Sequence, residues 1–273
     1  MDVFFTKMHG AGNDFILLDN RRKLIQLDSS RISTLCDRHK GIGADGLLVV
    51  ENDEGKEPRM VYFNADGSRA SFCGNGARCF ARFLFEMENK DGEQGEVCFM
   101  TEAGRITGWI SGEAVKITLP TPKNLTLRIP LEIEGKSYEL HKIDTGVPHV
   151  VLFEDCENLP RSTLEEIGSR IRWHKAFQPE GTNVNFAWRV GERKIKVRTY
   201  ERGVEGETLA CGSGVTASAL ISHLVLDMDC PIEVSVRSGE TLKVYFVKSG
   251  PAFREAFLEG PAKKVFVGTI EIT

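Results

Sequence analysis

A short segment occurs twice in this chain, at residues 72–79 and 210–217, and in each copy a cysteine followed by Gly-x-Gly opens an apolar run. The two cysteines, Cys73 and Cys211, are 211 − 73 = 138 positions apart, about half of the 273 residues. The first run has only a narrow stripe of charged residues, and the second has none between Cys211 and Leu226. Because helices this apolar must be almost wholly surrounded by protein, the repeat predicts two similar domains, each built around one buried helix.

Strand-like runs alternate with turns around both predicted helices. Examples are residues 3–6, 15–18, 47–50, 60–63 and 96–100 in the first half, and 138–144, 149–153, 183–188 and 194–200 in the second. We predict an α+β fold of two similar pseudo-repeat domains, each with a mixed or antiparallel barrel-like sheet around its central helix. The active site is expected in the interdomain cleft. The expected domains are residues 1–120 and 121–263, with 264–273 as a segment that can return to the first domain.

The composition is that of an ordinary soluble protein, with 41% hydrophobic residues, 27% charged residues and a net charge of −4. Neither a basic patch nor a membrane-length apolar run is present, so we expect no nucleic acid or membrane partner and a cytoplasmic location. The seven cysteines contain no C-x-x-C pair, which favours a reactive thiol over a zinc site or a disulfide framework. No cofactor or metal is expected, and a homodimer is left open.

A cysteine at the start of a helix lies beside unpaired backbone N–H groups and the positive end of the helix dipole, which favours the thiolate. The same amides, after Cys73 at Gly74 and Asn75 and after Cys211 at Gly212 and Ser213, can hold a carboxylate. Two such thiols facing one carbon would remove a proton from one face and deliver one to the other. A single cysteine is more often an inert small hydrophobe, but the duplicated Gly-x-Gly favours catalysis. The other cysteines are predicted to be packing residues: Cys36, Cys79, Cys98, Cys156 and Cys230.

Three residues near these segments are candidates to assist the thiols or to bind substrate. His149 can accept a thiol proton, although a packed histidine explains it equally well. Glu201 and Arg202 precede the second cysteine loop, where the glutamate could orient a thiol and the arginine could bind a carboxylate. An ordinary exposed ion pair is the plain alternative.

Three asparagines, Asn13, Asn64 and Asn183, lie in glycine-rich turns, where asparagine is common for backbone reasons. They would also suit an amino-acid ligand with donors and acceptors. The segment 41–46 matches the dinucleotide pattern G-x-G-x-x-G, but it follows a helix and opens a strand, the reverse of a nucleotide-binding loop. We therefore predict a tight helix-to-strand turn there.

With these residues in view, the chain closely resembles the diaminopimelate epimerases over its whole length. The resemblance rests on the order and spacing of segments 7–15, 41–46, 63–68, 73–79, 146–149, 181–183 and 200–214. It implies a cofactor-independent isomerase that converts LL-2,6-diaminopimelate to the meso form, in lysine and peptidoglycan precursor biosynthesis.

The resemblance also implies roles for individual residues. Cys73 and Cys211 would be the acid and base, assisted by His149 and Glu201. The substrate would be bound by Asn13, Asn64, Asn183, Glu201 and Arg202, and its reacting carboxylate by the amides at Gly74, Asn75, Gly212 and Ser213.

The chain differs from some members of that family at Val147, where they have a substrate-contacting asparagine. Its loop 203–208 is also one residue longer than the commoner form, which makes Glu207 a second candidate carboxylate beside Glu201. A related two-cysteine proline or hydroxyproline racemase is an alternative, although its substrate would leave Arg202 little to hold. A non-catalytic amino-acid-binding module would not explain the duplicated cysteine, and a thiol oxidoreductase is disfavoured by the absence of C-x-x-C.

Overall fold

A computed structural model of the chain describes residues 2–52, 57–88 and 92–271. The chain divides into two compact units, Met1–Thr118 with Gly260–Thr273 and Leu119–Glu259. The sequence placed the corresponding boundaries at residues 120 and 264. Residues 272 and 273 of the expected returning segment lie outside the described residues.

The first unit has two helices, α1 and α2, and strands from both ends of the chain. Its elements are β1 (Asp2–Gly10), β2 (Asn13–Asp19), α1 (Ser29–Cys36), β3 (Gly46–Asn52), β4 (Pro58–Asn64), β5 (Arg69–Ala70), α2 (Gly74–Glu88), β6 (Gln94–Thr101), β7 (Gly104–Ser111), β8 (Ala114–Thr118) and, from the C-terminal segment, β18 (Lys263–Glu271).

The second unit repeats this succession, except that its outer strand β9 comes first rather than last and a short 3-10 helix is added. Its elements are β9 (Lys123–Ile133), β10 (Lys136–Asp144), β11 (Pro148–Phe153), α3 (Arg161–Arg172), the 3-10 helix (Lys175–Phe177), β12 (Asn183–Gly191), β13 (Lys194–Glu201), β14 (Gly206–Thr208), α4 (Gly212–Leu226), β15 (Ile232–Ser235), β16 (Thr241–Ser249) and β17 (Ala252–Pro261).

The strands of each unit pair in one order. In the first unit the order is β18-β1-β2-β3-β4-β6-β7-β8, and neighbours are antiparallel except for the parallel pairs β2–β3 and β4–β6. In the second the order is β9-β10-β11-β12-β13-β15-β16-β17, with parallel pairs β11–β12 and β13–β15 in the matching places. Parallel neighbours need a crossover connection, and here helices supply it. This shared topology confirms the predicted α+β pseudo-repeat fold with mixed sheets.

The second crossover helix of each unit is its central helix. Helix α2 contacts six strands of its unit (β1, β2, β4, β6, β7 and β8), and α4 contacts β10, β11, β12, β13, β15 and β16. Every residue of α2 from Gly74 to Phe85 is buried, as is most of α4 up to Ser222. The enclosure of α2 includes Arg78, whose guanidinium donates to Asn75 Oδ1 at 3.0 Å. No described helix is long and apolar enough to cross a membrane.

The first crossover helix of each unit packs on the other face of the sheet. In the first unit Ile32 and Leu35 of α1 join a core with Ile16 and Leu47. In the second unit α3 contributes to a corresponding cluster around Val184 and Phe186. Strands such as β2 and β3 are therefore covered on both faces, which explains why they are continuous apolar runs rather than alternating ones.

The turn from α1 to β3 is the helix-to-strand turn that the sequence predicted. The amide of Gly41 donates to Asp37 O at 2.9 Å, and Gly43 has a φ of +78°. A Cβ added at Gly41 would lie 2.0 Å from Thr34 O and 2.7 Å from Leu35 O. Since both neighbours are backbone atoms, the close approach of turn and helix requires glycine at this position.

We expect Gly41→Ala to destabilise the protein by at least about 2 kcal/mol, because the added methyl overpacks fixed backbone. Urea denaturation followed by circular dichroism measures the change. Gly135→Ala is the comparison variant: its φ is +78°, unlike that of Gly41, and a Cβ there meets nothing within 4 Å. Gly135→Ala should lose only about 1 kcal/mol of stability, the cost of placing a side chain on a left-handed backbone. Equal losses in the two variants would contradict the steric explanation.

Candidate active site

Cys73 lies at the N-terminus of α2, where its backbone and its sulfur both meet amides of the first turn. Its carbonyl accepts from Ala77 N–H at 2.8 Å, and its Sγ accepts from Gly76 N–H at 3.5 Å. The side chain is half-buried. A sulfur that caps a helix N-terminus receives hydrogen bonds and the helix dipole together, and both favour the thiolate.

Asn13 connects Cys73 to the helix start. Its Oδ1 accepts from the Cys73 thiol at 3.6 Å and from Asn75 Nδ2 at 3.5 Å, while its own Nδ2 donates to Asp45 Oδ2 at 2.8 Å. The structure therefore joins Cys73, Asn13 and Asn75, three of the residues singled out in the sequence.

A charged cluster that the sequence analysis missed holds Asn13 in place. Asp14 lies 2.7 Å from Lys7 Nζ and 2.7 Å from Arg38 Nη2, and Arg38 also contacts Asp45 at 2.7 Å. Burial acts to raise the pKa of Asp14, but hydrogen bonds from Arg38 and Lys7 outweigh it and hold that pKa well below its usual range. Asp14 therefore stays ionised. Arg38, which bonds both carboxylates, fixes Asp45, and Asp45 in turn orients the Asn13 amide.

Asn64 is bonded within its own turn. It ends β4, its Nδ2 donates to Ser68 Oγ at 3.0 Å, and its carbonyl accepts from Gly67 N–H at 3.0 Å. These contacts account for an asparagine at this turn without a ligand, so its substrate-binding role stays a prediction.

Cys211 occupies the matching position at α4 and is buried. Its carbonyl accepts from Val215 N–H at 2.8 Å, as Cys73 accepts from Ala77. Its Sγ lies 3.5 Å from Ser213 Oγ. The two cysteines thus have the same backbone environment, and their side chains differ in the groups that they contact.

His149 contacts the Ser213 hydroxyl rather than the Cys211 sulfur. Its Nε2 lies 2.9 Å from Ser213 Oγ, and its Nδ1 lies 3.2 Å from Asn185 Nδ2. Complete burial lowers the pKa of His149 to about 3, and the positive charge of Arg202 adds to the effect. The imidazole is therefore neutral at pH 7, and Ser213 stands between it and Cys211.

Asn183 is hydrogen-bonded to the backbone of Arg202, and their predicted role in substrate binding stays a prediction. Asn183 Nδ2 donates to Pro148 O at 3.0 Å, and its Oδ1 accepts from the Arg202 backbone N–H at 2.9 Å. The Arg202 guanidinium donates to Glu180 O at 3.0 Å. Glu201 precedes it at the end of β13, where it pairs with Gly206 of β14 in a hairpin that contains the longer 203–208 loop. The side chain of Asn183 thereby links the loop before His149 to the start of that hairpin.

Glu207, the second candidate carboxylate, forms a buried ion pair instead. Both of its oxygens accept from Arg198, at 2.6 Å and 2.9 Å. Arg198 also donates to the carbonyls of Cys156 and Leu159. Its guanidinium thus joins the segment before α3 to the strands β13 and β14. These contacts assign Glu207 a structural role and leave Glu201 as the candidate of this hairpin.

The remaining cysteines are mostly packing residues, as predicted. Cys36, Cys79 and Cys156 are buried, whereas Cys98 and Cys230 are half-buried. Burial raises the pKa of the Cys36 and Cys156 thiols to about 11. These two thiols are therefore protonated at neutral pH and poorly nucleophilic. Throughout the described parts of the chain, no group of three or more His, Cys, Asp and Glu side chains is placed to hold a metal ion.

Comparison with known proteins identifies the family of this chain. The model of the diaminopimelate epimerase family matches residues 5–120 and 142–265. The chain belongs to this family. A diaminopimelate epimerase of Aquifex aeolicus (strain VF5) is 41% identical over an alignment that covers 97% of this chain and 97% of that protein.

Two solved structures share the fold at low sequence identity. A Bacillus anthracis phenazine biosynthesis protein of the PhzF family has a TM-score of 0.76 at 14% identity, with complete coverage of both chains (100% each). A hydroxyproline epimerase from Agrobacterium vitis, with bound trans-4-hydroxy-L-proline, has a TM-score of 0.71 at 14% identity and covers 98% of this chain and 91% of its own. The pseudo-repeat fold of this family therefore extends well beyond the diaminopimelate epimerases.

We expect Glu207→Leu to lower the free energy of unfolding by about 3–5 kcal/mol, because it leaves the buried Arg198 charge without its partner. The double variant Arg198→Met/Glu207→Leu should recover part of this loss, since no isolated charge remains. Recovery is incomplete because the Arg198 bonds to two carbonyls are also lost. Urea denaturation measures all three proteins. A double variant less stable than Glu207→Leu would contradict this explanation.

The buried neutral state of His149 predicts acid sensitivity. Its pKa is lower in the folded protein than in the unfolded chain, where it is about 6.5, so below pH 6.5 the unfolded state binds the extra proton. Stability is therefore lost as the pH falls through the window from about 6.5 to 3. Between pH 7 and pH 5 the wild type should lose about 2 kcal/mol more than His149→Gln, which does not titrate. Urea denaturation at the two pH values measures the difference, and parallel losses would contradict the buried neutral imidazole.

Proposed function

We propose that this protein epimerises LL-2,6-diaminopimelate to the meso form without a cofactor, by a two-thiol mechanism. The observation that carries the proposal is the repeated cysteine at a helix start: in each unit the central helix, α2 or α4, begins directly after a cysteine. Membership of the diaminopimelate epimerase family supplies the substrate. The product would serve lysine and peptidoglycan precursor biosynthesis.

The chemistry removes a proton from one face of the reacting carbon and adds a proton to the opposite face. One cysteine, as thiolate, takes the α-proton and becomes a thiol, while the other thiol gives its proton to the opposite face and becomes a thiolate. The α-hydrogen of an amino acid is a very weak acid, so the negative charge that develops on the carboxylate must be stabilised. The amides of Gly74, Asn75, Gly212 and Ser213 are proposed to donate to it, and one such donor is worth about 3–4 kcal/mol elsewhere.

Further residues are proposed to hold the rest of the substrate and assist the thiols. Asn13, Asn64, Asn183 and Arg202 would bind the distal amino-acid end, and Glu201 would contact substrate and assist a thiol. The hydrogen bond from the Arg202 backbone N–H to Asn183 Oδ1 supports the role of Arg202 by fixing the position of its backbone. His149 would assist Cys211 through Ser213, consistent with the 2.9 Å and 3.5 Å contacts on either side of that hydroxyl.

An imino-acid racemase is the second candidate, favoured by the likeness in fold to a hydroxyproline epimerase. At 14% identity that likeness concerns the fold alone. Proline and hydroxyproline lack a distal amino-acid group, so they would leave Arg202 and the asparagines without a partner. For a free amino acid as substrate we propose a cytoplasmic location, and a homodimer stays open.

The test is cofactor-free exchange of the α-hydrogen in D2O, followed by NMR, with single stereoisomers of diaminopimelate, proline and hydroxyproline. We expect deuterium incorporation and epimerisation with diaminopimelate alone. Exchange with an imino acid and none with diaminopimelate would favour the racemase, and binding without exchange would favour a non-catalytic module.

The same experiment with Cys73→Ala and Cys211→Ala tests the mechanism. Each variant should lose epimerisation by several orders of magnitude, because one face of the carbon then has no proton donor or acceptor. Cys79→Ala is the matched control, since Cys79 is a buried cysteine of α2 away from its first turn. Wild-type epimerisation in both Cys73→Ala and Cys211→Ala would refute the two-thiol mechanism.

A further inference from the structure

A chain of hydrogen bonds extends from Cys211 into the core of the second unit. It runs from Cys211 Sγ to Ser213 Oγ at 3.5 Å, to His149 Nε2 at 2.9 Å, and from His149 Nδ1 to Asn185 Nδ2 at 3.2 Å. Asn185 is fully buried on β12, and it is the member that the sequence analysis did not identify. Its neighbours on both sides are strands of the same sheet, paired at Val151 and Thr199.

The contacts of Asn185 fix the orientation of its amide. Nδ2 lies 2.9 Å from Val150 O, which can only accept a hydrogen bond, so this atom is the nitrogen. The Oδ1 atom then accepts from Thr199 Oγ1 at 3.0 Å. With one N–H directed to Val150, the second N–H is directed to His149 Nδ1.

The orientation of the amide sets the direction of the whole chain. Because His149 Nδ1 accepts from Asn185, a neutral imidazole carries its proton on Nε2. That N–H donates to Ser213 Oγ, which leaves the serine proton for Cys211 Sγ. The sulfur is thus the final acceptor, and an acceptor position stabilises thiolate relative to thiol.

The second glycine of the motif is explained by the same asparagine. A Cβ at Gly214 would lie 2.3 Å from Asn185 Oδ1 and 3.3 Å from its Cγ. The amide therefore packs directly against the first turn of α4, where a larger residue would displace it. At the corresponding Gly76, a Cβ would make only ordinary contacts, at 3.4 Å or more.

We propose that Asn185 is a positioning residue that holds His149 as the Nε2–H tautomer, so that Ser213 donates its hydroxyl proton to the sulfur of Cys211. The assignment rests on the proposed function only for its catalytic consequence, a Cys211 thiolate poised to remove the α-proton. Cys73 receives no such chain from Asn13, whose Oδ1 accepts from the thiol.

Few charged groups surround the chain of hydrogen bonds. Asn185, Thr199 and Ser213 do not titrate in the working range. Arg202, the residue after β13, is the charge that acts on His149, and Glu201 precedes it. Helix α4 carries no charged side chain, and its histidine, His223, lies in the last turn with Nδ1 2.8 Å from Met228 O.

The tautomer is tested on the unmodified protein by 15N NMR of the His149 ring at pH 7.5. We expect the Nδ1 resonance of an unprotonated nitrogen and the Nε2 resonance of a protonated one. A proton on Nδ1 would overturn the proposal. His149→Gln identifies the resonances by their loss, and the measurement needs no variant of Asn185.

The effect on the thiol is tested by the pH dependence of Cys211 alkylation with iodoacetamide, quantified by mass spectrometry of its peptide. The midpoint of that dependence reports the thiol titration independently of its accessibility. Asn185→Leu and Ser213→Ala should each raise the midpoint by about one pH unit, the effect of one hydrogen bond to a charged group. The double variant should show no further rise, because Asn185 acts through Ser213.

Ser218→Ala is the matched control, since Ser218 is buried in the same helix and its hydroxyl donates to Gly214 O at 2.8 Å without contacting the chain. Its midpoint should equal that of the wild type. An unchanged midpoint in Asn185→Leu, or additive shifts in the double variant, would overturn the proposal. If the tautomer and the midpoints are as expected but diaminopimelate shows no α-exchange, the proposed function fails and the role of Asn185 stands.

Discussion

The enclosure of one helix by the strands of its own unit is the constraint on which the rest of the molecule depends. Helices α2 and α4 are covered along most of their length, so the polar backbone groups of the buried turns must be satisfied internally, and the amides of the first turn have no intrahelical acceptors. There the unpaired amides require acceptors. Each unit places a cysteine at that position. Its carbonyl accepts from the first turn in both units, and the sulfur of Cys73 accepts there as well. The burial that stabilises each unit and the chemistry of its thiol thus have one origin.

The two thiols have the same backbone setting and different side-chain surroundings. Cys73 lies against Asn13, which is held by the charged cluster of Asp14, Lys7, Arg38 and Asp45. Cys211 lies against a neutral series of hydrogen bonds that includes a buried imidazole. Two-base epimerisation requires opposite protonation states at the start of each turnover. The different surroundings of Cys73 and Cys211 are therefore a physical means of deciding which of the two thiols is the base when a turnover begins.

Much of this arrangement could be predicted from the sequence, because its strongest signals are local. The apolar runs after Cys73 and Cys211 predicted buried helices, and the glycines of segment 41–46 predicted a turn. The hairpin of β7 and β8 was missed because both strands are short and Gly108, at a buried position of β7, breaks the apolar alternation in the sequence. Asp14, Arg38 and Asn185 were also missed. Their roles depend on which side chains strand pairing brings together, and nothing in their immediate sequence reports that.

The contact between Gly214 and Asn185 has a consequence for how this site can change. The helix turn that carries the thiol and the strand that carries the amide fit each other with no room for even a methyl group. Neither partner can vary alone without loss of fit, so substitutions at the two positions should be correlated among relatives. An engineer who transfers the cysteine loop to another scaffold of this fold must transfer residues from β12 with it. The first turn of α4 and strand β12 therefore have to change together, although they are distant in the sequence.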